Sequence, residues 1–247
     1  MTAPSRRILR ISGTANRDFL QGLITNDITR IDAGLVYAAL LSPQGKYMAD
    51  FFLTADGDDV LLDADAAQAD MLAQRLTMYK LRADVQIAAT DLHLHRGLGQ
   101  VPADAMADPR HDALGWRAYR DRPQDDDQTD WNALYVTHMI PQSGVELTPD
   151  TFILEIGFER IHGVDFRKGC YVGQEVTARM KHKTELRKGL AKVSVHGDAA
   201  TGTPITVGDK PAGTLLTRAG DQALAYLRFD RATGEMKADA ATVMRID

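Results

Sequence analysis

Only one cysteine, Cys170, is present among the 247 residues, which excludes an internal disulfide framework. The N-terminus shows no positively charged stretch followed by an apolar run of signal-peptide length. The longest apolar runs, such as residues 35–41, fall far short of the roughly 20 residues that a membrane helix requires. These absences favour a soluble protein of a reducing compartment, so we expect a cytoplasmic location and no membrane partner.

Familiar catalytic motifs are missing as well. The sequence has no phosphate-binding loop, no glycine-rich dinucleotide turn, no paired cysteines at zinc spacing and no nucleophile elbow. His93 and His95 alternate along one strand-like segment and offer two metal ligands. Such pairs are more often half-exposed strand residues, and no third ligand lies nearby in the sequence. We therefore predict no metal site.

The charge is unevenly distributed. The formal net charge of −5 gives no general reason to expect a nucleic-acid partner. Residues 167–192, which we call the basic segment, reverse this balance. Such a segment is typical either of a solvated surface or of a site for a polyanionic ligand tail, RNA or an acidic protein. Its cations are Arg167, Lys168, Arg179, Lys181, Lys183, Arg187, Lys188 and Lys192.

Apolar periodicity predicts an α+β region followed by a small all-β domain. Strands are predicted at residues 6–11, 35–41, 47–54, 59–63 and 85–89. Thr14 and Asp65 are the predicted N-caps of a short helix and of a longer one ending near residue 79. From residue 186 the chain has short apolar runs punctuated by glycine, which is typical of a β-barrel or sandwich. We predict domains over residues 1–185 and 186–247.

Cys170 lies just before residues 174–183, which have the composition of a helix. Free backbone N–H groups at the helix start, together with Arg167 and Lys168, would favour a reactive thiolate with a depressed pKa. The alternative is that Cys170 is a small buried hydrophobe and that its flanking glycines only permit a tight turn. The residue types alone leave both interpretations open.

The segment Lys168-Gly169-Cys170-Tyr171-Val172-Gly173-Gln174-Glu175 resembles the signature of the YgfZ family of folate-binding proteins. That family belongs to the superfamily of the glycine-cleavage T-protein, an aminomethyltransferase. The similarity also covers residues 18–27, 42–51, 79–82 and 154–157. The resemblance implies a two-lobed, GcvT-like α+β region around a folate site, closed by a C-terminal β-barrel.

The resemblance also implies a set of site residues. Tyr37 and Asp50 fall where the T-protein places a tyrosine of the folate site and a catalytically important aspartate. Cys170 and Asp50 are accordingly the candidate catalytic residues. The alternative for Asp50 is a strand aspartate that faces solvent. The implied cofactor-binding residues are Tyr37, Asp50, Glu155, Lys168, Tyr171, Gln174 and Arg179.

What the resemblance implies about function is a tetrahydrofolate-binding protein that assists assembly or repair of iron–sulfur clusters in client proteins. Its partners would be folate and iron–sulfur client or assembly proteins. Because such clusters usually take four ligands, Cys170 alone cannot enclose one.

Two alternatives to this function remain. The first is a folate-dependent aminomethyltransferase, in which Asp50 would organise the folate. The chain departs from the T-protein here, because a Gly-Glu-x-Gly segment has no counterpart and Pro149 stands near the position of an arginine. The second is an RNA-binding accessory protein, which only the basic segment suggests.

Overall fold

The computed structural model describes residues 5–125, 127–183 and 185–246, with the side chain of Lys183 outside the description. The helices are α1 (Asn16–Gln21), α2 (Ala66–Lys80), α3 (Trp131–Thr137) and α4 (Gln174–Lys183). The first eight strands are β1 (Arg6–Ser12), β2 (Val36–Leu41), β3 (Tyr47–Asp56), β4 (Asp59–Asp65), β5 (Gln86–Ala89), β6 (His93–Gly97), β7 (Met106–Ala107) and β8 (Trp116–Arg120). The remaining strands are β9 (Lys188–His196), β10 (Pro204–Val207), β11 (Lys210–Ala219), β12 (Gln222–Arg228), β13 (Glu235–Ala238) and β14 (Ala241–Arg245).

The chain forms two compact units. The first unit contains the residues up to Thr129 and the segment Glu159–Val176, and the second contains Asp130–Phe158 and the residues from Thr177 onward. Residues 130–158 belong with the barrel because their backbone bonds to it: the N–H of Leu190 on β9 donates to the carbonyl of Glu155. The domain limits 1–185 and 186–247 stay a prediction. The compact units have other limits, because each consists of two separate segments of the chain.

A five-stranded antiparallel sheet forms the centre of the first unit, in the order β2-β3-β4-β1-β5. Because side chains alternate across a strand, each strand contributes to both faces of this sheet. One face joins helices α1 and α2 in an apolar core. The largest buried contributors from the sheet to this core are Leu9, Ile11, Val36, Leu40, Phe51, Leu53, Val60 and Leu62.

The starts of the two helices in this unit differ in how well the sequence predicts them. Asp65 caps α2 as predicted, because its carboxylate accepts the N–H of Ala67 at 2.9 Å. The predicted cap of α1 is wrong. Thr14 donates its hydroxyl to Asp84 instead, at 2.8 Å, and Ala15 precedes the helix without a side-chain cap. In the described part of the chain, no helix has both the length and the apolar character needed to cross a membrane.

The second unit contains a closed six-stranded barrel in the order β10-β11-β12-β9-β14-β13, with β13 paired back to β10. Small and branched side chains fill its interior, including Ala191, Val193, Ile205, Leu215, Ala225 and Val243. The predicted C-terminal barrel is therefore confirmed. The sequence pattern locates strands at β9 to β12, whereas β13 and β14 were not predicted.

Candidate functional site

The second face of the five-stranded sheet carries buried polar side chains, which we call the polar face. Asp50 on β3 is only 4% exposed. Its two carboxylate oxygens each accept a phenol hydrogen bond, from Tyr37 at 2.9 Å and from Tyr47 at 2.6 Å. Burial, followed by the neighbouring charge of Asp50, raises the pKa of Tyr37 well above its usual range. Asp50 is thus a buried carboxylate that accepts hydrogen bonds from two tyrosine hydroxyls. The alternative, in which Asp50 faces solvent, is wrong.

Arginine side chains cover the aromatic part of the polar face. The guanidinium carbon of Arg117 lies 3.9 Å from the centroid of the Phe52 ring, and that of Arg110 lies 4.8 Å from the same centroid. Arg110 also lies 5.5 Å from the ring centroid of Tyr37. A guanidinium over an aromatic face is attracted by the ring quadrupole, and this attraction strengthens where water is excluded.

Asp63 neutralises this arginine group from β4. Its carboxylate accepts from Arg6 at 2.7 Å and from Arg117 at 2.5 Å, and it also accepts the Tyr119 hydroxyl at 3.1 Å. Burial alone would raise the pKa of Asp63, but the charges of Arg6 and Arg117 outweigh burial and lower it. Asp108 holds Arg110 in the same way, with two hydrogen bonds of 3.0 and 2.8 Å. The charged side chains of the polar face therefore form a network of ion pairs, the ion network, that is largely buried from water.

Sequence reasoning missed the arginines of this network. Arg117 lies on β8, outside the strands predicted from the sequence. Among the residues that the structure describes, its buried Nε finds no hydrogen-bond partner. The available signal was charge inside an apolar pattern, since Asp63 follows Val60-Leu61-Leu62 in a strand. A buried carboxylate requires a cationic partner, but sequence alone does not identify which of 29 lysines and arginines supplies it.

Cys170 lies elsewhere in the first unit, on an exposed loop before α4, and it is a free thiol. The buried-hydrophobe interpretation is therefore wrong. Helix α4 begins at Gln174, as the composition predicts. Gly173 precedes it with a φ of 82°, a conformation that favours glycine. The reactive role of Cys170 stays a prediction.

Lys168 turns away from solvent although it stands two residues before the exposed cysteine. Its ammonium donates to the carbonyl oxygens of Gln21 and Ile24, at 2.6 Å each, and lies 5.0 Å from the ring centroid of Tyr171. Burial lowers the pKa of Lys168 to about 8, and the charges of Asp27 and Asp165 oppose that shift. Lys168 therefore holds the loop to the interior of the first unit, and its ammonium points toward backbone carbonyls and not toward solvent.

The other predicted cofactor residues are divided between the two units. Tyr171 is buried in the first unit beneath the Lys168 ammonium, and Gln174 opens α4. Glu155 belongs to the second unit, where its carboxylate accepts the Tyr226 hydroxyl at 2.5 Å and lies 3.8 Å from the Lys188 ammonium. Arg179 is exposed on the part of α4 that belongs to the second unit. Their cofactor roles stay predictions.

Of the two histidines on β6, His95 has ordinary structural hydrogen-bond partners. The Nε2 atom of His95 lies 2.7 Å from the carbonyl oxygen of Arg122, and its Nδ1 atom lies 3.3 Å from a guanidinium nitrogen of Arg120. Over residues 5–125, 127–183 and 185–246, no three acidic, histidine or cysteine side chains gather closely enough to hold a metal ion.

Tetrahydrofolate is the cofactor that the resemblance implies for the polar face. As arranged, Tyr37 and Asp50 do not fit that role, because both side chains are closed to solvent. A carboxylate that holds a pteridine nitrogen must present an oxygen to the ligand. Reaching Asp50 would require at least one of the side chains that cover it to move.

Known proteins resemble this chain over most of its length. An iron–sulfur cluster assembly factor IBA57 homolog, named as mitochondrial, from Mycosarcoma maydis is 32% identical over 234 aligned residues, covering 81% of this chain and 57% of the relative. The mitochondrial iron–sulfur cluster assembly factor IBA57 of Mus musculus is 29% identical over 278 aligned positions, covering 94% of this chain and 78% of the relative. Both of these relatives of the chain are named as iron–sulfur cluster assembly factors. The chain spans little more than half the length of the fungal relative.

The fold has a clear counterpart among solved structures. The glycine cleavage system aminomethyltransferase T from Bartonella henselae matches 98% of this chain and 83% of its own, with a TM-score of 0.74 and 12% sequence identity. Residues 187–246 match the family model of the CAF17 C-terminal beta-barrel domain. The predicted GcvT-like α+β fold with a C-terminal barrel is confirmed.

One expectation is contradicted by these relatives. They are named as mitochondrial proteins, so the cytoplasmic location expected from the sequence is wrong. The physical reason is that a lone cysteine excludes an internal disulfide but carries no information about which compartment holds the protein.

Proposed function

We propose that this protein is an iron–sulfur cluster assembly factor and that Cys170 supplies one thiolate to a cluster shared with a partner. The observation that carries the proposal is the exposed sulfur of the only cysteine. The names of the relatives support the function class.

The chemistry of the thiol fits this role. A cysteine binds iron as the thiolate, so Cys170 gives up its proton as the Fe–S bond forms. Clusters usually take four ligands, and this chain has one cysteine. The other ligands must then come from an iron–sulfur client or assembly protein, or from a small thiol. In this proposal the cluster is bound for transfer to a client and is not a resident cofactor of the protein.

A host that lacks the corresponding gene tests the proposal. The wild-type chain should restore the activity of the host's iron–sulfur enzymes, and Cys170→Ser should not, although it folds and accumulates normally. Failure of the wild type would contradict the assembly function. Full restoration by Cys170→Ser would contradict the thiol role alone.

The finer proposal places the chain in the YgfZ family and adds tetrahydrofolate as a cofactor. The specific observation in its favour is the direct contact between Tyr37 and Asp50, two of the residues that the resemblance assigns to folate. Their burial opposes it, so we propose that folate binding requires the polar face to open.

Titration with tetrahydrofolate separates these possibilities. Saturable binding that Asp50→Ala weakens at least tenfold would support the cofactor, whereas wild-type protein that binds no folate would remove it. Formation of methylene-tetrahydrofolate from an aminomethyl donor would support the aminomethyltransferase alternative, and zero turnover would exclude it.

A further inference from the structure

The loop that carries Cys170 is attached to the first unit on both sides of the cysteine. Before the cysteine, Lys168 is 8% exposed and its ammonium donates to two backbone carbonyls. After it, Gly173 lies against the turn between β2 and β3. The cysteine stands between these two attachments.

The Lys168 attachment uses acceptors that the fold leaves available. Gln21 is the last residue of α1, and the carbonyls of a final helical turn have no partner within the helix. A cation at that end is also favoured by the helix dipole. Two hydrogen bonds of 2.6 Å from one ammonium, to Gln21 and Ile24, join the loop to α1 and to the segment that follows it.

The Gly173 attachment depends on close backbone contact. A Cβ at this position would lie 2.6 Å from the carbonyl oxygen of Ser42 and 3.1 Å from the Cα of Gly45. Gly45 in turn lies close to α4, since its own Cβ would come within 2.7 Å of Val176. The turn and the start of the helix therefore fix each other.

The segment leading into the loop is attached as well. The Asn26 side chain donates to the carbonyl of His162 at 2.7 Å, and the Thr25 hydroxyl donates to that of Gly163 at the same distance. In contrast, Gly169 and Cys170 are exposed, and a Cβ at Gly169 would meet no atom within 4 Å. The part of the loop that bears the thiol is therefore exposed between its attachments.

We propose that Lys168 is the positioning residue for Cys170, and this rests on the proposed role of Cys170 as a cluster ligand. By joining the loop to Gln21 and Ile24, Lys168 restricts where the sulfur can lie. Fe–S bonds form only over a narrow range of positions, so a sulfur held in place loses less conformational freedom when it binds. Without Lys168 the thiol remains present but its position varies.

A nitroxide spin label tests this arrangement without any other substitution, because Cys170 is the only cysteine. The electron paramagnetic resonance spectrum reports nanosecond motion at that position. We expect the wild-type label to show restricted motion. A wild-type spectrum dominated by fast motion would overturn the proposal.

Variants then assign the restriction to Lys168. Lys168→Met keeps the apolar stem but removes all three donors, and it should add a major fast component. Arg167→Met is the matched control, because it removes a neighbouring exposed cation, and its spectrum should stay restricted. If Lys168→Met does not fold, Lys168→Gln replaces it, since its shorter amide cannot reach both carbonyls. A restricted spectrum in the folded Lys168 variant would overturn the proposal.

The functional consequence is measured in the deletion host. Lys168→Met should restore iron–sulfur enzyme activity to a level closer to that of Cys170→Ser than to that of the wild type, whereas Arg82→Met, which removes an exposed cation outside the basic segment, should match the wild type. Loss of motional restriction with full restoration of activity would contradict the positioning role. The spectra do not depend on the assembly function, so its failure is distinguishable from failure of the positioning role.

Discussion

The Tyr37 hydroxyl donates a 2.9 Å hydrogen bond to Asp50, and both side chains are buried within the first unit. A hydrogen bond to a buried carboxylate contributes roughly 1.5–3 kcal/mol to stability. We predict that Tyr37→Phe lowers the free energy of unfolding by about that amount, as measured by urea denaturation. In the Asp50→Asn background the same substitution should cost less. An equal cost in both backgrounds would contradict the coupling.

Asp63 holds two arginines, so its removal should be costly. Asp63→Asn removes the carboxylate that Arg6 and Arg117 share and leaves Arg117 with Asp108 at 3.7 Å, and breaking a buried ion pair typically costs about 3–5 kcal/mol. We predict a loss of that size in the free energy of unfolding. The matched control is Asp59→Asn on the same strand, where the partner is the partly exposed Arg10 and a loss of about 1 kcal/mol or less is expected. Similar losses in the two variants would contradict the burial of the network.

Gly173 and Gly169 flank the exposed cysteine but differ in their surroundings. Gly173→Ala should destabilise the protein by about 1–3 kcal/mol or more, because φ is 82° and the new Cβ would meet the Ser42 carbonyl at 2.6 Å. Gly169→Ala should change stability by less than about 1 kcal/mol, since its Cβ would enter open space. Thermal unfolding of the two variants measures the difference. A neutral Gly173→Ala would show that the loop is not held at this point.

Glu146 should give the second unit a distinctive pH dependence. Burial raises the pKa of this carboxyl above its usual 4.5, although the N–H groups of Thr217 and Gln142 oppose the shift. The folded protein then binds more protons than the unfolded chain above pH 4.5, so the contribution of Glu146 to stability falls as pH rises toward the folded pKa.

The variant Glu146→Gln cannot titrate and should lack this component. Urea denaturation at several pH values should therefore show the stability of the wild type, measured relative to that of Glu146→Gln, falling as pH rises from about 4.5. A difference that stays constant over that window would contradict the raised pKa.

Local elements of this fold were largely predictable, because their causes are local. Asp65 precedes a helical apolar pattern and caps α2 as expected, and the strands predicted at residues 35–41 and 47–54 form the β2–β3 hairpin around a turn that contains Pro43 and Gly45. Thr14 was mispredicted because a distant residue competes for its hydroxyl: Asp84, which lies 70 positions away, accepts the bond.

The candidate site was only partly predictable for the same reason. The resemblance assigned both Tyr37 and Asp50 to the folate site. The ion network, in contrast, depends on contacts such as that between Arg117 and Asp63, which are 54 positions apart in the sequence. No periodicity encodes such a pairing. Likewise, the sequence alone did not decide whether Cys170 is buried or exposed. Nor did it distinguish Lys168 from a surface cation, because its acceptors, the carbonyls of Gln21 and Ile24, are far away in the sequence.

The most direct test of the central claim asks whether the sulfur of Cys170 binds a cluster. Cysteine labelled with ¹³C at Cβ introduces one label into the chain, and the cluster is assembled anaerobically from iron and sulfide with unlabelled glutathione as the external thiol. Electron–nuclear double resonance of the reduced cluster should then show ¹³C coupling from Cys170. A bound cluster without that coupling, or no bound cluster at all, would contradict the account.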